Sequence, residues 1–247
     1  MKFSIVTCTW DSEPHLAQSI ASVLAQDYPD FEYLFVDGGS SDGTLERIRS
    51  VPRPFKLIEN VRGGVPHAMN RGLAAATGDV VAHLHSDDYY LHPQVLSRVA
   101  EAMTRSGRHW AIGICPFDHD GKLEYPPPRR IPYSHFNYVA ARVTITHPAV
   151  FIGREVWRTV GGFDESCRYT SDIDLWLRIT RRFEPVIIDE PLAAFRAHAG
   201  SRSTADVGAA RSEELRVRRK HARFHPLAAA LGLARLGLYY RRLARAQ

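Results

Sequence analysis

The residues best equipped for chemistry are acidic, and they fall just after apolar runs. Asp37 follows Tyr33-Leu34-Phe35-Val36, and Asp87-Asp88 come shortly after Val80-Val81-Ala82-His83-Leu84. A third polar group, made of Thr7, Thr9, Trp10, Asp11 and Glu13, closes and follows the apolar opening of the chain. A carboxylate at a buried strand end accepts hydrogen bonds from a base or ribose in dinucleotide folds, and Asp37 suits that role. Adjacent carboxylates such as Asp87 and Asp88 repel each other unless water or a cation neutralises them. Their hard oxygen atoms suit Mg2+ or Mn2+, which one or two carboxylates hold together with substrate phosphates. Local capping competes with these roles. Asp42 stands where a helix begins and reads as its N-cap, and Asp88 is placed to cap the helix after it.

The elements that must position these groups alternate along the chain. Strands are expected at Phe3–Thr9, Phe31–Val36, Phe55–Ile58 and Val80–Leu84. Helices are expected at His15–Ala25, after the Gly38-Gly39-Ser40-Ser41-Asp42-Gly43 turn, at His67–Ala76 and after Pro93. This βαβαβαβ order predicts an α/β fold with a mostly parallel sheet and helices on both faces. Ligands bind beyond the carboxyl ends of such strands, so the three polar groups should converge on one cleft, with Ser86 among them. The second half is less regular. Trp110–Phe117, Ala149–Gly153, Val186–Ile188 and Ala194–Ala197 read as strands, and Arg154–Val160 and Asp172–Arg182 as helices. Pro126-Pro127-Pro128 marks a loop, and the segment Pro116–Ile145 carries no clear pattern.

Composition excludes several classes. Of 32 Lys/Arg and 27 Asp/Glu, ten and two fall in 211–247, so the tail carries +8 and residues 1–210 carry −3. A slightly acidic body argues against a nucleic-acid partner. Cys8, Cys115 and Cys167 form no CxxC pair and read as reduced thiols in a cytoplasmic protein. The histidines lack zinc-site spacing, and His83 reads as a packed side chain. No stretch reaches the roughly 20 apolar residues of a spanning helix. The tail holds Arg216, Arg218, Arg219, Lys220 and Arg223, then leucines on more than one side of a helical wheel. It reads either as a charged helix packed on the core or as a peripheral contact with anionic lipid on the inner face of the membrane.

Several motifs together resemble the family 2 glycosyltransferases of GT-A fold, in the family's order from residue 3 to about 204. They are Ser4–Trp10, Ser19–Pro29, Val36-Asp37-Gly38-Gly39-Ser40-Ser41-Asp42-Gly43-Thr44, Gly78-Asp79 through Ser86-Asp87-Asp88, His147-Pro148, Val160–Glu165, Ser171–Arg178 and Phe195–Ser203. The resemblance implies a GT-A domain over 1–210, with a nucleotide-binding Rossmann-like half (1–90) and an acceptor and catalytic half (91–210); the charge distribution sets a basic helical tail (211–247) apart from it. It implies that Thr7 and Glu13 line the nucleotide pocket and that Asp37 holds the base, commonly uracil. Arg62 and Asn70 would lie along the donor, Asp87 would bind the metal, His198 would reach metal or diphosphate, and Asp172 would be the general base. Thr9, Ser86 and Asp88 complete the donor side. Two positions depart from the family. His85 stands where its metal motif often has Asp, and an imidazole there can ligate Mn2+ or simply pack. Ser171 stands where Glu often precedes the base, and Asp174 is a rival to Asp172 that helical spacing turns by ~200°.

The implied activity is inverting transfer of a sugar from a nucleoside diphosphate, UDP being the expected carrier, to a glycan or polyprenyl-linked acceptor of a bacterial surface-glycan pathway. Mn2+ or Mg2+ would assist it. A sugar nucleotidyltransferase is the alternative enzyme, but Ser12-Glu13-Pro14-His15 is not the Gly-rich basic loop that chemistry needs. A non-catalytic nucleotide-sugar binder is the other alternative, and intact Asp87 and Asp172 argue against it.

Overall fold

The computed structural model describes residues 1–128, 131–198 and 206–246. The Ala199–Ser203 part of the last motif lies outside them. Its first half runs β1 (Phe3–Thr9), α1 (Glu13–Leu24), β2 (Phe31–Asp37), α2 (Thr44–Arg49), β3 (Phe55–Ile58), α3 (Val65–Ala75) and β4 (Val80–His83). There follow β5 (Tyr89–Tyr90), α4 (Val95–Ser106), β6 (Trp110–Ile114), β7 (Phe117–His119), β8 (Lys122–Glu124) and α5 (His135–Val139). The chain continues with β9 (Val150–Gly153), α6 (Arg154–Val160), α7 (Ser171–Thr180), β10 (Val186–Pro191), β11 (Ala193–Arg196), α8 (Val207–His221) and α9 (Pro226–Ala246).

A seven-stranded sheet in the order β10-β6-β9-β4-β1-β2-β3 forms the centre. It is parallel except for β9, which runs antiparallel to both β4 and β6. Strand alternation builds two cores. Phe3 and Ile5 of β1 and Tyr33 and Phe35 of β2 face α1, α2 and α4, packing with Leu16, Ile48 and Val99. Val6 and Cys8, with Leu34 and Val36, face α3, α6 and α7, packing with Met69, Trp157 and Trp176. Burial on both faces is what near-continuous apolar strands require. The expected α/β sheet with helices on both sides is therefore present. Register matters for the site: β1 and β2 pair from Phe3–Phe31 to Thr9–Asp37, so their carboxyl ends finish level.

One expected strand is broken. Trp110–Phe117 splits at Cys115-Pro116, because Pro116 has no N–H for the ladder. The chain resumes as β7 in a second sheet of order β5-β11-β7-β8. Strands β5 and β8 and helix α5 carry too few residues for a periodic signal, and the sequence reading missed them. Phe3–Thr9, Phe55–Ile58 and Arg154–Val160 coincide with expectation, and the remaining boundaries shift by at most three residues, close to the usual fraying of element ends.

The tail forms two helices that rest on the second core, to which they contribute Val217, Ala228 and Ala229. Arg218 is buried, donating to Glu214 Oε1 at 2.8 Å and to the Tyr138 carbonyl at 2.9 Å. Helix α9 faces inward with its small residues, while Leu227, Leu231 and Leu238 lie outside and Leu233 and Leu236 are half-buried. Among the described residues no helix is long and apolar enough to cross a membrane.

Candidate active site

A cleft of about 740 Å³ opens over the carboxyl ends of β1, β2 and β4. Its walls include Thr9, Arg62, Ser86, Asp87, Asp88 and Asp172, which the sequence singled out, together with Trp10, His147, Arg168 and Tyr169. Thus strand ends some eighty residues apart, and the first turn of α7, meet in one space. The three acidic positions do not all reach its surface. Asp87 and Asp172 line it, whereas Asp37 lies fully buried beneath.

Asp37 is held by four donors. Its Oδ1 accepts Gly39 N–H at 2.8 Å and Ser40 N–H at 2.9 Å. Its Oδ2 accepts Ser40 Oγ at 2.5 Å and Thr9 Oγ1 at 2.8 Å. The carboxylate thereby fixes the glycine turn against β1. Gly39 has φ +93°, a left-handed conformation suited to glycine, and a Cβ there would stand 3.3 Å from the Arg62 guanidinium. The turn therefore forms a shelf under Arg62, which does line the cleft.

Four other expected positions also stop short of the lining: His198, which reaches it through Asp87, and Thr7, Glu13 and Asn70. Thr7 is buried, donating to the Leu84 carbonyl at 2.8 Å, so it links β1 to the end of β4. Glu13, the first residue of α1, pairs with Arg47 of α2 at 3.1 Å. Asn70 bridges α3 to the later loop, donating to the Phe163 carbonyl at 2.9 Å and accepting Phe163 N–H at 2.8 Å. In this arrangement these side chains brace the walls from behind.

On the β4 side, Asp87 Oδ2 lies 3.1 Å from His198 Nε2. Asp88 is buried, and its Oδ1 accepts Arg196 N–H at 3.1 Å. Burial and the neighbouring Asp87 charge hold the Asp88 carboxyl well above the usual range. The Arg196 side chain donates to the Asp87 carbonyl at 3.0 Å and pairs with Asp118 at 3.5 Å, tying β11 to the β4 loop. His85 lines the cleft with its ring 5.2 Å from that of half-buried His147. His83 is packed as expected, 3.2 Å from the Met69 carbonyl, and burial lowers its imidazole to about 3.

No group of three His, Cys, Asp or Glu side chains that could hold a metal occurs among the described residues. The protein offers Asp87 and His198, one hard oxygen and one imidazole within a single ion's reach of each other. Such a pair fits a divalent cation whose other ligands are phosphate oxygens and water.

Asp172 and Asp174 face different ways. Asp172 lines the cleft, partly accessible, with Oδ1 accepting Ile173 N–H at 2.7 Å. Burial pushes its carboxyl up to about 6, and the charges of Glu214 and Glu213 add to the rise against backbone donors that lower it. Asp174 is buried away from the cleft, accepting from Arg178 at 2.7 Å and Lys220 at 3.1 Å, with His221 Nε2 3.0 Å away. Burial opposes ionisation of Asp174, but these cationic and imidazole partners outweigh it and hold its carboxyl low.

Sequence reasoning missed the loop before α7 and the residue that shapes it. Glu213 of α8 accepts N–H groups of Tyr169 and Thr170 at 2.8 Å each and of Arg168 at 2.9 Å. It also accepts Thr170 Oγ1 at 2.8 Å. A tail helix thus sets the backbone that presents Arg168 and Tyr169 to the cleft. Proximity of 168–170 to Asp172 was the available signal for the loop; nothing local marks Glu213.

The comparisons with known proteins agree with this architecture. A glycosyltransferase of Mycobacterium tuberculosis (strain H37Rv), itself uncharacterized, is 29% identical over 197 residues, 78% of this chain and 74% of that protein. The structure of Staphylococcus aureus TarS 1-349 in complex with UDP-GlcNAc matches with a TM-score of 0.75 at 19% identity. That match covers 90% of this chain, which spans 66% of the TarS chain. The mannosyltransferase PcManGT of Pyrobaculum calidifontis, solved with GDP-Man and Mn2+, matches with a TM-score of 0.69 at 18% identity, over all of this chain and 76% of that one. At such identities the structures establish a shared GT-A fold. The sequence profile of glycosyl transferase family 2 matches residues 4–158, well over half of the chain, and the chain accordingly belongs to glycosyltransferase family 2.

Proposed function

We propose that the cleft binds a nucleoside-diphosphate sugar and that Asp172 takes the proton of the acceptor hydroxyl during one direct displacement at the anomeric carbon. The observation that carries this reading is the convergence of Asp87 and Asp172 on one cleft, with a paired His198 beside the first and burial around the second. A hydroxyl is a weak nucleophile, and a base whose carboxyl titrates near 6 is ionised at neutral pH yet basic enough to assist. One displacement inverts the sugar, and no covalent enzyme intermediate is needed.

Residues 1–90 would serve the donor and 91–210 the acceptor and catalytic half. Trp10, Thr9 and the shelf built by Asp37 border the space for a base. Arg62 and the glycine-capped N-terminus of α3, at Gly63-Gly64, lie where an anionic diphosphate would gain most. Asp87 and His198 would hold Mn2+ or Mg2+. Such an ion, when bound, stabilises the charge of the leaving diphosphate by several kcal/mol. Ser86 steadies the same wall by donating to Ser12 Oγ at 2.9 Å. Thr7, Glu13 and Asn70 act on the donor through the walls they brace, and Asp88 through Arg196. Residues 116–145, which hold the β7–β8 hairpin and α5, would shape the acceptor side.

UDP is the expected carrier, and a glycan or polyprenyl-linked glycan the expected acceptor. A lipid-linked acceptor would suit a protein held on the inner face of the membrane by residues 211–247. A panel of UDP- and GDP-sugars, scored by thermal stabilisation with and without Mn2+, tests the donor reading. Stabilisation by one donor class that deepens with Mn2+ and is lost in Asp87→Asn is expected. A panel with no effect would refute it.

A further inference from the structure

Helix α9 is built inside out for a helix resting on a soluble core. It packs through its smallest residues, Ala228, Ala229 and Gly232, all buried against the α5 region. A Cβ on Gly232 would come 2.3 Å from the Val139 carbonyl oxygen, so only glycine permits this approach. The large apolar side chains point the other way. Leu227 is 69% exposed, Leu231 46%, Leu238 59% and Tyr239 56%. Ala230 and Ala234 are exposed between them. The positions 227, 231, 234 and 238 repeat at helical spacing, so they form one continuous outward stripe. Arg235 and Arg241 are exposed beside it, and Arg223 just before it. From His221 to Gln247 the chain has no Asp or Glu.

The basic cluster of α8 is differently disposed. Arg218 is buried with Glu214. Lys220 reaches inward to Asp164 and Asp174, at 3.0 and 3.1 Å. Within that cluster Arg218 and Lys220 tie α8 to the core while Arg216, Arg219 and Arg223 stay exposed, and the surface that combines apolar area with cations lies on α9.

We infer that α9 lies flat in the interface of an anionic lipid bilayer. Leu227, Leu231 and Leu238 enter beneath the headgroups, Tyr239 sits at headgroup level, and Arg235 and Arg241 meet lipid phosphates. A helix of this apolar and cationic make-up, too polar to span, takes such an in-plane position. This rests on the proposal above that the tail meets a membrane, and replaces its basic cluster with a defined face.

The test is flotation of the full chain with vesicles of phosphatidylcholine alone or with one-third phosphatidylglycerol. It compares wild type with Leu231→Gln/Leu238→Gln, and the solution mass of both proteins is measured without lipid. The thermal transition and donor hydrolysis of the double variant confirm that it is folded. Wild type is expected to float with the anionic vesicles, and the variant to partition at least tenfold less with its thermal transition intact. Failure of wild type to float would overturn the membrane reading itself. Equal flotation of the two proteins would overturn the α9 face while leaving membrane contact by the tail in place. A wild-type dimer that the two substitutions convert to monomer would assign the stripe to a second copy of the chain and overturn lipid as its occupant.

Discussion

Glu213 lies on the tail, outside the stretch matched by the family profile, yet its carboxylate collects four donors from the loop that leads to Asp172. Burial alone would raise this carboxyl, but the N–H groups of Tyr169, Arg168 and Thr170 outweigh it and hold it below the usual range. Hydrogen bonds to a charged group contribute about 1.5–3 kcal/mol when buried, and partial solvent access argues for about 1 kcal/mol each here. Glu213→Ala should then cost about 4 kcal/mol, a fall in melting temperature on the order of 10 °C for a chain of this size. Glu213→Gln keeps Oε1 and its three bonds, loses the bond from Arg168, and should cost about 1 kcal/mol. Its more telling effect is on pH. Glu213 helps raise Asp172, so removing its charge should lower the pH at which activity is half lost, from about 6 downward. Donor hydrolysis across a pH series, with melting curves, reads both effects. A purely structural residue would move the melting temperature and leave the pH midpoint in place. A Glu213→Ala protein with wild-type stability and pH profile would refute the reasoning.

Other consequences follow from the same contacts. Burial raises Asp172 from its ordinary 3.8 to about 6, so it favours the folded state when protonated and costs stability as pH rises through 6. Asp172→Asn should therefore stabilise the protein at pH 8, on the order of 2 kcal/mol after allowing for partial exposure, and much less at pH 4; equal melting shifts at both pH values would contradict this. Gly232→Ala should push α9 from Val139 and destabilise by about 1–3 kcal/mol, measured by denaturant unfolding. Asp37→Asn converts one acceptor oxygen into a donor facing hydroxyl or N–H partners. It should weaken donor affinity at least tenfold in calorimetry although Asp37 lies outside the cleft lining.

Much of the first half was legible because its signals are local. The β1 and β2 runs are apolar on both faces, their turns are rich in glycine, and acidic residues stand at their ends. Those features dictate a parallel sheet and a crevice above it. What the sequence did not give was depth. Asp37, Thr7 and Asn70 are polar residues at site-like positions, but their hydrogen-bonding capacity is taken up by Ser40, Leu84 and Phe163. Only three-dimensional contact tells a lining residue from one that braces it. The second half was harder because its determinants are distant in sequence. Pro116 diverts a strand into a second sheet, and Glu213 shapes a loop more than forty residues earlier. The tail shows the same limit. Its leucines looked scattered on a wheel until the packing of Ala228, Ala229 and Gly232 fixed which side was inside.

The account stands most directly on Asp172 as the base, and one paired measurement decides that. Calorimetric affinity for the stabilising nucleotide sugar, and the rate of nucleoside diphosphate release from it, are determined for wild type and Asp172→Asn. The account predicts donor affinity within about twofold and turnover lower by about 10²–10⁴-fold, the range lost with a general base. Near wild-type turnover in Asp172→Asn would contradict it.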